Sequence, residues 1–221
     1  MDRILVIDKP SGMTSHDIVD VVRKKLNIRK VGHCGTLDPM ATGVLVILTN
    51  KATKRQAELS SDEKEYLCTM ELGSATDSHD STGNIVDQAS TKYINKALIE
   101  HTLDSFKGKQ KQVPPMVSAK HYKGKRLYKL AREGIVVDRE PVDIEIRELE
   151  ILKINQDEVI FRVVCSKGTY IRTLCDDMGK KLGCFAHMNA LRRTRSGSFL
   201  IDDALKLEDI ESLIEDEDNK A

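Results

Sequence analysis

The sequence predicts an α+β protein built on a mixed sheet with helices packed around it. Three observations carry that prediction. Strand-like and helix-like segments are interspersed without a steady strand–helix–strand alternation, which counts against a doubly wound parallel sheet. No internal repeat is visible, which removes solenoids and propellers. A chain of 221 residues, 40% of them apolar, is long enough to bury a substantial core.

Ile4-Leu5-Val6-Ile7 reads as a first strand, stopped by Pro10 and Gly12. Thr14 or Ser15 then caps a helix whose apolar positions Ile18, Val21, Val22 and Leu26 recur at three and four. The stretch from Gly32 to Gly43 holds three glycines and a proline and reads as a shaped loop. Val44-Leu45-Val46-Ile47-Leu48 follows as a buried strand. Ala52 to Leu59 fits a short helix, and Glu65 to Leu72 a strand with Tyr66, Cys68 and Met70 on one face. Residues 73–83 are polar and read as a solvated loop. Asp77, His79 and Asp80 within it match no ligand spacing of a known metal cage. Asn95 to Phe106 is helical in pattern and closes at Gly108; Pro114-Pro115 then breaks the chain. Ile144–Ile154 and Glu158–Cys165 form two long strands about a turn at Asn155-Gln156-Asp157. Thr169–Leu182 is a helix ended by Gly183, Ala186–Phe199 a strand carrying arginines, and Leu205–Ile214 a short closing helix.

Nothing approaches eighteen consecutive apolar residues, and the first apolar run is too short for a signal core. A membrane span and a secretory leader are therefore not expected, and the chain reads as cytoplasmic. The five cysteines are odd in number and contain no C-x-x-C pair, which favours reduced, buried thiols over disulfides or zinc. Net charge is zero, but its distribution is uneven. Ser118 to Gly134 carries a local +5, and Arg192, Arg193 and Arg195 cluster further on. The segment from Glu208 to the C-terminus carries −6. Such a pattern suits either a footprint for phosphates or a solvated basic face.

Asp38 is the sole carboxylate of the Gly32–Gly43 stretch. An acid on an irregular loop fixed by a core strand suits a catalytic group; an Asp-Pro turn joining two core elements is the plainer reading of the same residues. The stretch as a whole, G-x-x-G-x-L-D-P-x-A-x-G-x-L, together with upstream Asp8-Lys9-Pro10-Ser11-Gly12-Met13-Thr14-Ser15, resembles the signature of the TruB family of tRNA pseudouridine synthases. A second block, Ser166-Lys167-Gly168-Thr169-Tyr170-Ile171-Arg172-Thr173-Leu174, and a third, from Val113 to Gly134, are similar to further stretches of that family.

The resemblance implies the pseudouridine synthase fold, with a largely antiparallel mixed sheet flanked by helices and an inserted basic thumb. It implies isomerisation of uridine 55 in the TΨC loop of tRNA, with Asp38 as the catalytic aspartate and Arg172 as its partner. Tyr66 would stack on the flipped base, His33 would lie near the flipping nucleotide, and Leu191 would form an apolar wall. Core packing explains Leu191 equally well; the plainer reading of Tyr66 is an ordinary strand tyrosine on the core, and that of His33 a backbone-bonded loop histidine. Lys120, Lys123, Lys125, Arg126, Lys129, Arg132, Arg192 and Arg193 are the candidate RNA contacts, with Tyr122 and Tyr128 interleaved.

The reaction breaks the bond between ribose and uracil nitrogen 1, turns the base, and rejoins the ribose to carbon 5. It involves no redox change and no net group transfer, so no cofactor or metal is implied, and no nucleotide-binding fingerprint is present. The partner implied is the T-arm stem-loop of tRNA, bound by a monomer without an obligate protein partner or a membrane. In this reading residues 1–204 form the catalytic domain with a thumb at 113–142, and residues 205–221 a short helix and acidic tail. The chain ends where bacterial members usually continue into a PUA-type domain. Two other readings use the same residues: a non-catalytic tRNA-binding or folding module, and the catalytic subunit of a guide-RNA particle. A glycoside hydrolase fits poorly, because it needs two carboxylates flanking the bond.

Overall fold

A computed structural model describes residues 2–60, 63–118, 120–122, 124–127, 130 and 133–211. Along the chain lie β1 (Ile4–Lys9), α1 (Ser15–Lys25), β2 (Val31–Cys34), β3 (Thr42–Thr49), α2 (Gln56–Ser60), β4 (Lys64–Leu72), β5 (Ser74–Thr76) and β6 (Ile85–Gln88). They are followed by α3 (Lys96–Asp104), β7 (Gly108–Gln112), β8 (His121–Tyr122), β9 (Lys125–Arg126), β10 (Val142–Asn155), β11 (Glu158–Cys165), α4 (Ile171–Leu182), β12 (Ala186–Ser196) and β13 (Phe199–Leu200). Strand pairing is mostly antiparallel, with helices interspersed, as the α+β reading expects. The chain divides into two compact units, Met1–Leu67 with Leu191–Ala221, and Cys68–Ala190. No helix among the described residues is long and apolar enough to cross a membrane.

In the first unit β3 is the central strand. It pairs antiparallel with β1 from Ile4↔Leu48 to Lys9↔Gly43 and antiparallel with β2 from Val31↔Thr49 to Cys34↔Val46. It pairs parallel with β12 at Arg192↔Thr42 and Arg193↔Gly43. Its continuous apolar run follows from this position, since both faces are covered. Leu45 and Ile47 pack with Ile18, Val19, Val22 and Leu26, while Val44, Val46 and Leu48 pack on the other side with Cys34 and Leu59. Each such burial contributes about 1.5–3 kcal/mol. Helix α1 starts in a capping box: the Thr14 hydroxyl accepts from the Asp17 N–H, and the Asp17 carboxylate accepts from the Thr14 N–H.

Two local expectations change here. Gly32-His33-Cys34 is strand rather than loop, so the irregular segment shrinks to residues 35–41. Glycine is tolerated because β2 pairs with β3 at its end, outside the main strand order. Leu205 is extended, not helical: it bridges to Ile7, donating to the Val6 carbonyl and accepting from the Asp8 N–H. A single 3-10 turn, Glu208–Glu211, follows, and residues 212–221, with most of the acidic tail, lie outside the described residues.

In the second unit β10 and β11 form a long antiparallel ladder, and β7 pairs with the other edge of β10. Val159, Phe161 and Val163 alternate into the core from β11. Helix α4 buries Ile171, Leu174, Cys175, Met178 and Leu182. At Gly179 an added Cβ would sit 2.1 Å from the Ala186 nitrogen, so only glycine lets the helix lie this close to the following strand. The loop expected at 73–83 includes β5, half of the β5–β6 hairpin, and its Asp80 is buried. All five cysteines are buried and none is in a disulfide; Cys68 and Cys175 lie with their sulfurs 3.5 Å apart.

Candidate active site

The loop bearing Asp38 leaves β2 and enters β3, and residues 9–15 grip it by its main chain. The Ser15 hydroxyl, buried, accepts from the Leu37 N–H at 2.9 Å and donates to the Leu37 carbonyl at 3.1 Å. The Pro39 carbonyl accepts from the Gly12 N–H at 2.9 Å and from Lys9 Nζ at 3.1 Å. The Ser11 hydroxyl donates to the Met40 carbonyl. Residues 37, 39 and 40 are thus each held by the upstream block, and none of these bonds uses the Asp38 carboxylate. The two sequence blocks belong together for this reason: one is the mount of the other.

Lys9 was not singled out from sequence, although it stands in the quoted block. Its side chain is 0% exposed, and Nζ donates to the carbonyls of Pro10, Met13 and Pro39 at 2.8, 2.6 and 3.1 Å. Burial lowers its pKa to about 8, against the opposing pull of the Asp38 and Asp17 carboxylates. A neutral amine has two N–H groups and a lone pair, so it cannot serve three carbonyls. Activity should therefore fall as pH rises through about 8, roughly tenfold by pH 9. Folding stability should move the opposite way. The unfolded chain holds this proton up to about 10.5, so the charge that is costly to bury is shed first in the folded state. Stability from this group rises between pH 8 and 10.5 and is lost as pH falls through 8. Paired pH–rate and pH–melting curves on wild type and Lys9→Met check both signs; the variant should lose both inflections.

Arg193, expected at the RNA surface, requires correction. It is 1% exposed, and its guanidinium donates to the Val44 carbonyl at 2.6 Å and the Gly35 carbonyl at 3.1 Å. Those two carbonyls bracket the Asp38 loop, so Arg193 is a strut inside the protein. Gly43 makes room for it: φ is +98°, and a Cβ there would lie 2.2 Å from the Arg193 carbonyl oxygen. The signal was in the sequence, since Arg193 stands two residues after Leu191 and so shares its strand face. Arg192 is part-exposed, and its fork holds the Asp8 carboxylate at 3.0 and 2.7 Å.

Of the other expected residues in this unit, Leu191 and Tyr66 are both buried. The Thr42 hydroxyl donates to the Leu191 carbonyl at 3.5 Å, beside the exit of the Asp38 loop. The start of β4 lies along the end of β12 through Thr194–Glu65 and Arg195–Glu63 contacts. His33 is half-buried on β2, its carbonyl accepting from Gln56. Burial, then Arg193 and His16, lower its pKa and favour the neutral ring.

Arg172 belongs to the second unit, on the first turn of α4. It is buried, its guanidinium donating to the Val117 carbonyl at 2.6 Å and lying 3.5 Å from Asp80. Asp80, unassigned from sequence, is equally buried and also accepts from Ser78 and from the Thr82 N–H and hydroxyl. The Asp-Ser-His-Asp-Ser-Thr run is thus a turn wound around a carboxylate. In the basic segment Lys120 is exposed just before the β8–β9 hairpin and Lys125 is exposed within it; the hairpin includes the backbone of Arg126. Lys123, Tyr128, Lys129 and Arg132 lie outside the described residues.

Comparison with known proteins gives consistent matches. Residues 23–171 match the model of the TruB family pseudouridylate synthase N-terminal domain, and residues 172–221 that of the tRNA pseudouridylate synthase B C-terminal domain. The chain is 48% identical to a tRNA pseudouridine synthase B of Geotalea uraniireducens, over 95% of this chain and 67% of the relative. It is 45% identical to that of Opitutus terrae, over 96% and 88%. Among solved structures it is similar to a chain of a Cbf5-Nop10-Gar1 complex, with TM-score 0.77 and 32% identity, covering 99% of this chain and 56% of that one. A chain of an H/ACA RNP bound to a substrate RNA containing 2'-deoxyuridine matches with TM-score 0.73 and 30% identity, covering 99% and 55%. The chain therefore spans just over half the length of these structural neighbours.

Proposed function

The chain belongs to the TruB family of pseudouridylate synthases, and on that premise we propose that it isomerises uridine 55 in the TΨC loop of tRNA to pseudouridine. The observation that carries this reading is the main-chain grip on both sides of Asp38. A main chain held so firmly fixes the point from which the carboxylate departs, as a nucleophile or proton acceptor needs.

The target uridine stands inside a folded loop and must be extruded before its glycosidic bond is reachable. Tyr66 stacks on the extruded base, Leu191 walls the pocket, and His33 stands by the flipped nucleotide. Asp38 then acts on the sugar or the base while the ribose–nitrogen 1 bond breaks and the ribose–carbon 5 bond forms; the carbon 5 proton passes to solvent and nitrogen 1 takes one up from it. Arg172 keeps the carboxylate ionised, since burial in a pocket built for a base would otherwise favour its protonated form. The family residues of the thumb, with exposed Lys120 and Lys125, meet the phosphates of the T-arm. The chain acts in the cytoplasm as a monomer.

The structural neighbours come from a Cbf5-Nop10-Gar1 complex and an H/ACA RNP bound to a substrate RNA, but the names of relatives at 43–48% identity favour direct action on tRNA. A T-arm stem-loop tritiated at uridine carbon 5 separates the readings. Release of tritium by the purified chain alone, confined to the position-55 uridine, is the expected result. Tight binding without release would leave a binding module or a guided subunit instead.

A further inference from the structure

Helix α4 begins without a cap of its own. Its first non-helical residue is Tyr170, whose side chain cannot return to the helix N–H groups and makes no capping bond. The neighbouring Thr169, a residue well suited to capping, instead donates to the Ser166 carbonyl at 2.9 Å. The missing partner comes from 58 residues earlier in the chain. Gln112 Oε1 accepts from the Tyr170 N–H at 2.8 Å, and Gln112 Nε2 donates to the Tyr170 carbonyl at 3.1 Å. The side-chain amide thus pairs with the N–H and carbonyl of one residue as a neighbouring strand would. Gln112 is 3% exposed, at the inward-facing end of β7.

We propose that Gln112 is a positioning residue of the reaction, fixing the start of α4 and thereby the direction of Arg172. Three bonds and a short chain segment close a ring around that guanidinium. From Gln112 the chain runs through Val113-Pro114-Pro115-Met116 to Val117, whose carbonyl accepts from Arg172 at 2.6 Å. Two residues before Arg172 is Tyr170, bonded back to Gln112. Both prolines are buried and have φ fixed, and the Pro114 carbonyl accepts from Arg139 at 3.1 Å. The strap is therefore stiff, and its two ends are tied to the same turn of the same helix. Arg172 needs such a hold, because a cation in the first turn of a helix opposes the macrodipole. Asp80 offsets the charge; Gln112 fixes the backbone from which the side chain departs.

The inference rests on the reading that Arg172 serves pseudouridine formation, and the test keeps the two apart. Single-turnover rates and RNA affinity are measured on the T-arm stem-loop for wild type, Gln112→Leu, Gln112→Glu and Arg172→Met, and for Gln112→Leu combined with Arg172→Met. Gln112→Leu should slow the chemical step by about thirtyfold while affinity stays within about threefold. Gln112→Glu keeps the acceptor for the Tyr170 N–H and loses the donor, so it should fall between wild type and Gln112→Leu. In the Arg172→Met background, Gln112→Leu should cost less than about twofold more, because its effect passes through Arg172. A merely structural role would multiply the two losses. An unslowed Gln112→Leu, or full multiplication in the double variant, overturns the role of Gln112 while leaving the proposed function intact. A wild-type protein that forms no pseudouridine refutes the function itself, and with it any reaction for Gln112 to serve. Should Gln112→Leu fail to fold, Gln112→Glu with and without Arg172→Met gives the same non-additivity test.

Discussion

Asp38→Asn should lower turnover at least about ten-thousandfold, a loss near 5.5 kcal/mol of transition-state stabilisation at 1.36 kcal/mol per decade. It should leave RNA affinity within about threefold and the melting temperature nearly unchanged. The argument lies in the mount. Ser15, Gly12, Lys9 and Ser11 hold the main chain at residues 37, 39 and 40, and Arg193 braces Gly35 and Val44. Asparagine keeps all of these bonds and nearly the same volume, while losing both the nucleophilic oxygen pair and the proton acceptor. Tritium release and single-turnover conversion give the turnover, filter binding on the same T-arm preparation gives the affinity, and thermal unfolding gives the melting temperature. A variant that still turns over at a tenth of the wild-type rate would remove Asp38 from the chemistry. A variant that loses affinity in step with turnover would mean that the loop binds RNA and does not react with it.

The same mount shows what sequence could and could not give. The β3 run, the α1 periodicity and the β10–β11 hairpin were legible because each is a local pattern repeated over several residues. The catalytic candidate was legible because Asp38 stands in a dense motif. The grip on it was not, because it is made of hydroxyls, carbonyls and one ammonium brought together across some twenty-five residues, and sequence spacing carries no such geometry. Arg193 shows a second limit. A basic cluster reads the same whether its members face phosphate or carbonyl oxygens, and only the period-two register with Leu191 placed this one inside. Helix α4 shows a third: the N–H at its start is met by Gln112, 58 residues earlier on β7, and sequence spacing carries no sign of that pairing. Asp80 was passed over for a related reason. A run of short polar residues resembles a solvated turn unless one knows that a buried guanidinium faces it.

That guanidinium gives the second large effect, and it separates catalysis from stability. Arg172→Met should slow the chemical step about a thousandfold, with affinity little changed, because the proposed duty of Arg172 is toward the carboxylate and not toward RNA. It should also destabilise the fold by about 3 kcal/mol, since removing one member of a buried pair strands the other charge. Asp80 is the stranded partner: it is buried and, besides Arg172, accepts only neutral donors from Ser78 and Thr82 among the bonds described above. Adding Asp80→Asn to Arg172→Met removes the isolated charge while its amide oxygen can still accept from Ser78 and Thr82. The double variant should therefore recover much of the lost stability in urea unfolding and recover none of the lost turnover. Asp80→Asn alone should slow turnover by about tenfold to a hundredfold, because Arg172 keeps its charge but loses the partner that orients it. If turnover returned together with stability in the double variant, Arg172 would be a folding residue, and the assignment of its role to the reaction would fail. If stability did not return, the pair with Asp80 would not be the source of the destabilisation, and the bond to the Val117 carbonyl would carry it instead.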